Sequence, residues 1–276
     1  MALTLLAEAG VCFASLLHGL RSSRLSAQVK GLSMVLFASG AALLYRYLLP
    51  SASRMHIGFT LGAYAFTYLA GQAFVCIGLT GGIACGKSSV VEVIRKSFPE
   101  VLVLDCDKIV RDLQKAGKPV FQQIIAAFGQ DMVGSDGELN RPKLAKLIFS
   151  DAAARKRINA ITHPAVSRAI LWSVLQGRLQ GYRHILLDAP LLFETKVFPY
   201  FCYPIVTVTV GDREVWLSRL MARDTISREE AETKVKAQMP IEVKAKLSHY
   251  VINNTGSFED LEHSTLGVFR QVLGKV

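Results

Sequence analysis

Residues Gly81-Gly82-Ile83-Ala84-Cys85-Gly86-Lys87-Ser88 carry the strongest chemical signal in this chain of 276 residues. They fit G-x-x-x-x-G-K-[ST], a pattern that binds nucleotide phosphates when a strand precedes it and a helix follows. The glycines let successive backbone N–H groups converge on phosphate oxygens, and the helix N-terminus adds positive potential. Lys87 then reaches the β- and γ-phosphates, the Ser88 hydroxyl is placed to hold Mg²⁺, and Ser89 completes the loop set from Gly81 onward. Cys85 sits where a helix N-terminus can depress a thiol pKa, which raises the hypothesis that its oxidation blocks nucleotide binding.

Carboxylates and arginines farther along suit phosphoryl transfer. Asp105-Cys106-Asp107 follows an apolar run, and on an extended chain the two carboxylates point the same way. A carboxylate near a γ-phosphate can take the proton of an attacking hydroxyl, the role expected of Asp107. Asp105 either shares that site or caps a helix beginning near Lys108. Asp188 closes another apolar run and is the expected Mg²⁺ partner of Ser88. Arg219 and Arg223 lie about one helical turn apart on a basic helix end, placed to offset charge on a transferring group. The plain alternative is a solvated charged face.

These residues need a scaffold of alternating strands and helices. Phe74 to Leu79 reads as the strand before the loop, Ser89 to Lys96 as the helix after it, and Pro99 as its stop. Val101 to Leu104, His184 to Leu187, Ile205 to Val210 and His249 to Ile252 read as four further strands. Helical segments fill about 108–180, with short helices at Arg141 to Phe149 and Arg155 to Ile161. His163-Pro164 is expected to break the chain before a longer helix through Gln180. Ser227 with Glu230 forms a capping-box pattern that opens another helix, and a closing helix begins near Phe258. Strand–helix alternation implies an α/β fold: a three-layer core with a five-stranded parallel sheet.

Net charge is +10 and mean hydropathy +0.31. The charge suits phosphate-rich ligands or an anionic membrane surface, whereas no basic cluster interleaved with aromatics supports nucleic acid as a partner. Residues 1–72 form a separate hydrophobic region whose single acid is Glu8, against Arg21, Arg24, Lys30, Arg46 and Arg54. Leu32 to Tyr45 and Ile57 to Ile77 are uncharged and near the lower limit for spanning a bilayer. Pro50-Ser51-Ala52-Ser53 between them reads as a turn. A membrane hairpin of hydrophobic helices within 31–72 is expected, the alternatives being a targeting segment or packing against the rest of the chain. The acid-free stretch Arg21 to Lys30 weakly resembles a mitochondrial leader. Five cysteines without a C-x-x-C pair argue for a reducing compartment. The oligomeric state is not legible. No Asn-Lys-x-Asp guanine signature is present, so the pattern points to a small-molecule kinase.

At this point the chain closely resembles the dephospho-coenzyme A kinase family from about Phe74 to about Val272. The likeness rests on Gly78-Leu79-Thr80-Gly81-Gly82-Ile83 with Gly86-Lys87-Ser88, and on Asp105-x-Asp107 followed by Arg111. It continues through Arg141-x-x-Leu144 with Ile148-Phe149, Ile161-Thr162-His163-Pro164 and Pro190-Leu191-Leu192-Phe193-Glu194. Arg219 with Arg223, Gln238-Met239-Pro240 and Asn253-Asn254-x-Gly256 complete it. The resemblance implies a P-loop kinase core over 73–276, a helical substrate subdomain at about 108–180 and a lid at about 212–240. It implies transfer from ATP, with Mg²⁺, to the ribose 3′-hydroxyl of dephospho-coenzyme A. By position Asp107 becomes the base for that hydroxyl. Arg111, Arg141 and His163, with Asp105, hold the substrate, and Arg219 and Arg223 belong to the lid. Lys234 stands where the lid often carries Arg, which removes a bidentate phosphate contact. Two other readings share these motifs: a kinase for a different small molecule or nucleotide, and a membrane-anchored nucleotide-binding scaffold.

Overall fold

The computed structural model describes residues 74–195 and 198–274, with the single positions 14, 15, 65 and 68. The apolar helices and membrane attachment expected within 1–72 lie outside the described residues. Among the described residues no helix is long and apolar enough to cross a membrane.

Five strands form a parallel sheet: β1 Cys76–Gly81, β2 Val101–Asp105, β3 His184–Asp188, β4 Cys202–Thr209 and β5 Tyr250–Asn253. Their order is β2-β3-β1-β4-β5. The central strands read as near-continuous apolar runs because a parallel sheet is buried on both faces. Leu79, Leu186, Val206 and Val208 are fully buried. Each expected strand is present with its ends moved by a few residues, β1 running two residues farther, to Gly81.

The chain divides into two compact units. One runs to Pro99 and resumes at Pro190. It holds β1, β4 and β5 with α1 Lys87–Ser97, the short α6 Phe198–Phe201, α7 Arg213–Asp224, α8 Arg228–Lys236, α9 Ile241–Leu247 and α10 Phe258–Val272. Val90, Val93 and Ile94 line one face of α1, and Phe98 just beyond it stacks at a tilt on Phe269 of α10, ring centroids 6.2 Å apart.

The other unit, Glu100–Ala189, pairs β2 with β3 and carries α2 Cys106–Leu113, α3 Pro119–Phe128, α4 Arg141–Ser150 and α5 Ala152–Leu179. Val120, Ile124, Ile125, Leu139, Leu144 and Ile158 form a core of its own. One expectation fails here. His163-Pro164 does not break the chain, and α5 continues through it as a single helix of 28 residues. Ile158, Thr162, Val166, Ile170, Val174 and Gly177 stay on one buried face across the proline. Burial along that face outweighs the lost backbone hydrogen bond, and the Thr162 hydroxyl donates to the Ile158 carbonyl 2.9 Å away, giving that turn another bond.

Candidate active site

The phosphate loop lies between β1 and α1, as its pattern requires. Gly86 is the N-cap of α1 with φ +82, and a side chain at that position would overlap the Asn254 amide, so only glycine fits. Ala84 also adopts a positive φ, +58, which holds the loop in a conformation that L-residues rarely take. Lys87, Ser88 and Ser89 occupy the first turn of α1, whose positive end favours an anion, and the Ser89 N–H donates to the Gly86 carbonyl at 3.0 Å.

Three neighbours fix the loop from outside. The Asn254 amide donates to the Cys85 carbonyl at 2.9 Å. The Trp216 indole donates to the Ile83 carbonyl at 2.6 Å, and the Ile83 N–H donates to the Gln238 side chain at 2.9 Å. Ile83 is therefore held at both backbone groups by residues from the 212–240 region. Gln238 is held in turn through its neighbour: Met239 N–H donates to Glu194, which also pairs with the fully buried Lys244 at 2.8 Å. Lys244 donates in addition to the Pro190 carbonyl.

Cys85 has the opposite character to a reactive thiol. It is 1% exposed, and burial pushes its pKa up to about 11 despite hydrogen bonds from the backbone and nearby Lys244 and Arg219. The depressed pKa expected from its place beside α1 is overturned, because desolvation of the thiolate outweighs the helix terminus.

Arg219 and Arg223 both lie on α7, and both are engaged. The Arg219 guanidinium donates to the Asn254 carbonyl, so Asn254 touches the loop through its side chain and Arg219 through its backbone. Arg223 donates to Asp224 at 2.8 Å, and Lys234 reaches the other oxygen of Asp224 at 2.7 Å. These two cations hold the Asp224 carboxyl down at about 2. Lys234 thus spends its charge on Asp224 here. Ser227 and Glu230 form the expected capping box at the start of α8. Arg228, from the first turn of α8, makes two hydrogen bonds to Glu214 of α7, tying the two helices together.

In the Glu100–Ala189 unit, Asp105 and Asp188 are register partners at the ends of β2 and β3. Asp105 is the N-cap of α2 and accepts from the Lys108 N–H at 2.8 Å, so the capping alternative is the one realised. Helix begins at Cys106, so Asp107 stands in the first turn of α2 and not on an extended chain beside Asp105. Asp107 is exposed and shares a helix face with exposed Arg111, four residues on. Arg141 donates to the Gln114 side chain at 3.0 Å and to the Arg111 carbonyl at 3.4 Å, joining α4 to α2. Asp188 is 7% exposed. His163 is exposed on α5, beside the buried stripe that includes Thr162 and Val166.

A family model described as dephospho-CoA kinase matches residues 75–260. The chain belongs to the dephospho-CoA kinase family. A dephospho-CoA kinase of Arabidopsis thaliana is 40% identical over 185 residues, 67% of this chain and 78% of that protein. One of Carboxydothermus hydrogenoformans is 38% identical over 195 residues, covering 71% and 93%. A solved structure of a Thermus thermophilus protein superposes with a TM-score of 0.60 at 32% identity, over 72% of this chain and 97% of that one.

Several contacts that build the site of this dephospho-CoA kinase family member gave no local signal, although Gln238 itself belongs to a motif of the resemblance. Trp216 and Gln238 bond Ile83 across 133 and 155 residues of chain. Lys244 looks like any surface lysine of a charged helix yet is 0% exposed. The cue for Trp216 was chemical: a buried indole N–H needs an acceptor.

Proposed function

We propose that this chain transfers the γ-phosphoryl group of ATP to the ribose 3′-hydroxyl of dephospho-CoA, giving CoA and ADP in the last step of coenzyme A synthesis. The observation that carries the reading is the loop: Gly86 and Ala84 at positive φ, Lys87 to Ser89 opening α1, and family membership spanning that loop. A three-layer P-loop core, a substrate subdomain at about 108–180 and a lid at about 212–240 complete the proposal.

Phosphoryl transfer asks mainly for positioning and charge stabilisation. The loop from Gly81 to Ser89 wraps the phosphates and Lys87 offsets charge on the group in flight. Asp107 takes the proton of the 3′-hydroxyl as it attacks, a role its exposed carboxylate permits. Arg111, Arg141 and His163 bind the nucleotide end of dephospho-CoA. Asp105 supports them through α2, whose first turn it caps. Arg219 and Arg223 of the lid approach the transferring group once Arg223 exchanges Asp224 for phosphate. For Mg²⁺, the Ser88 hydroxyl and the Asp188 carboxylate are hard oxygen donors of the kind the ion accepts beside phosphate and water. When bound, the ion neutralises charge on the β- and γ-phosphates.

Coupled ADP release by the full chain tests the reaction, with dephospho-CoA as acceptor against adenosine, AMP and shikimate. Turnover only with dephospho-CoA supports it, and turnover with another acceptor overturns the substrate while sparing the core. Asp107→Asn should lower kcat with little change in ATP affinity; a collapse of ATP affinity would make Asp107 a metal ligand instead.

We further propose that residues 31–72 attach the enzyme to a membrane, a mitochondrial one being suggested by Arg21 to Lys30, with the kinase in a reducing compartment. Support comes from the uncharged runs and from five cysteines with no C-x-x-C spacing. Carbonate extraction of cell membranes tests it, and release of the full chain into the supernatant would refute it.

A further inference from the structure

Helix α5 is apolar on two opposite sides along its second half. Ile170, Val174 and Gly177 face inward, packed so closely that a Cβ on Gly177 would run into Leu102 of β2. On the other side Leu171, Trp172, Leu175 and Leu179 stand 41, 58, 37 and 77% exposed. At 100° per residue these four fall within one arc, forming a continuous stripe rather than scattered positions. Exposed singles are ordinary on a protein surface, but four large side chains on one arc, one of them tryptophan, mark an interaction surface.

The charge pattern narrows the occupant. From Ala152 to Leu187 the chain has no Asp or Glu, while Arg155, Lys156, Arg157, Arg168, Arg178 and Arg183 are basic. Arg168 and Arg183 are exposed toward the two ends of the stripe, and Arg178 donates to the Tyr182 and Arg183 carbonyls of the loop beyond the helix. An apolar stripe of Leu and Trp bordered by arginines and free of acids matches an anionic bilayer surface, which takes the apolar groups below its headgroups and pairs the arginines with lipid phosphate. A protein partner would be expected to answer the arginines with carboxylates in a defined geometry; a lipid surface needs only their sign.

We propose that the outer face of α5 rests on an anionic membrane surface, Trp172 and the three leucines entering the headgroup region. This contact is independent of residues 31–72, and its test separates the two. Full-length protein is mixed with vesicles of phosphatidylcholine alone or with phosphatidylserine, with or without brominated acyl chains. The chain has two tryptophans, so wild type minus Trp172→Phe isolates the emission of Trp172. With phosphatidylserine vesicles that emission should shift to the blue and lose most of its intensity to bromine. Leu171→Glu with Leu175→Glu and Leu179→Glu should abolish both effects while ADP release persists. Should the triple variant fail to fold, Arg168→Gln with Arg183→Gln should weaken the dependence on anionic lipid. Vesicle binding without quenching of Trp172 would overturn the proposal and leave attachment to the N-terminal region. A blue shift that follows protein concentration instead of lipid would overturn it in favour of a second copy of this chain.

Discussion

A thiol in the middle of a phosphate loop invites a redox role, and its surroundings decide against one. Cys85 is 1% exposed with its pKa pushed up to about 11, so the thiolate is scarce at any pH where the enzyme works. Iodoacetamide at neutral pH should leave Cys85 unmodified in the folded protein, with labelling rising only as the pH nears that value. Mass-spectrometric mapping checks this, and rapid neutral labelling would restore the redox reading. Asn254 is the more consequential neighbour. Its amide holds the Cys85 carbonyl, its own carbonyl receives Arg219, and its N–H donates to Thr209 at 2.8 Å. Asn254→Ala strands a buried carbonyl, a loss of about 1–3 kcal/mol. If the loop relaxes by that amount, ATP binding weakens about tenfold for each 1.4 kcal/mol. Calorimetric Kd for ATP beside a thermal melt separates the outcomes: a lowered Tm with unchanged Kd would make Asn254 a fold residue only.

Among the elements, local signals were legible where local chemistry decides. The loop with its flanking strand and helix, and the Ser227–Glu230 capping box, are short-range patterns that the structure reproduces. Asp105 illustrates the limit: its two options, cap or site, differ only in where strand gives way to helix, and that junction falls one residue after it. The clamp on Ile83 was not legible because both partners come from distant chain, and no spacing rule spans such a gap. Pro164 was misleading because a proline's local penalty is visible in sequence while the stripe that pays it back is a property of the packed helix. That penalty is still present. Proline in a helix interior costs about 3 kcal/mol, part of which is recovered through a stiffer unfolded chain. Pro164 is exposed, so alanine introduces no packing conflict and restores a backbone donor within α5. Pro164→Ala should therefore raise unfolding stability by about 1–3 kcal/mol, read as a higher urea midpoint at unchanged slope. A lower midpoint would mean that the helix is shaped around its proline.

For the molecule as a whole, the quantity to test is its positive excess. The net charge is +10, and both proposed substrates are polyanions. Much of the charge in the 212–240 region is internally balanced: Glu214 with Arg228, and Asp224 with Arg223 and Lys234. The cations of these pairs are exposed, and pairs at the surface contribute little to stability, so an incoming phosphate can compete for them at small cost. The excess elsewhere sets a long-range potential that raises encounter rates with anions by tenfold or more and decays over a Debye length of about 10 Å at 0.1 M salt. If that potential serves the reaction, kcat/KM for ATP and for dephospho-CoA should both fall as sodium chloride rises from 0.02 to about 0.3 M, while kcat stays nearly constant because bound charges are screened far less. A uniform fall in kcat would point instead to salt acting on the lid pairs. Salt-independent kcat/KM would place the excess away from the substrates, in the region before residue 73, with five basic residues against Glu8 alone, and in the acid-free stretch from Ala152 to Leu187. In that case the charge serves attachment to an anionic surface, and the same titration would weaken binding to phosphatidylserine vesicles over the range in which catalysis is unmoved.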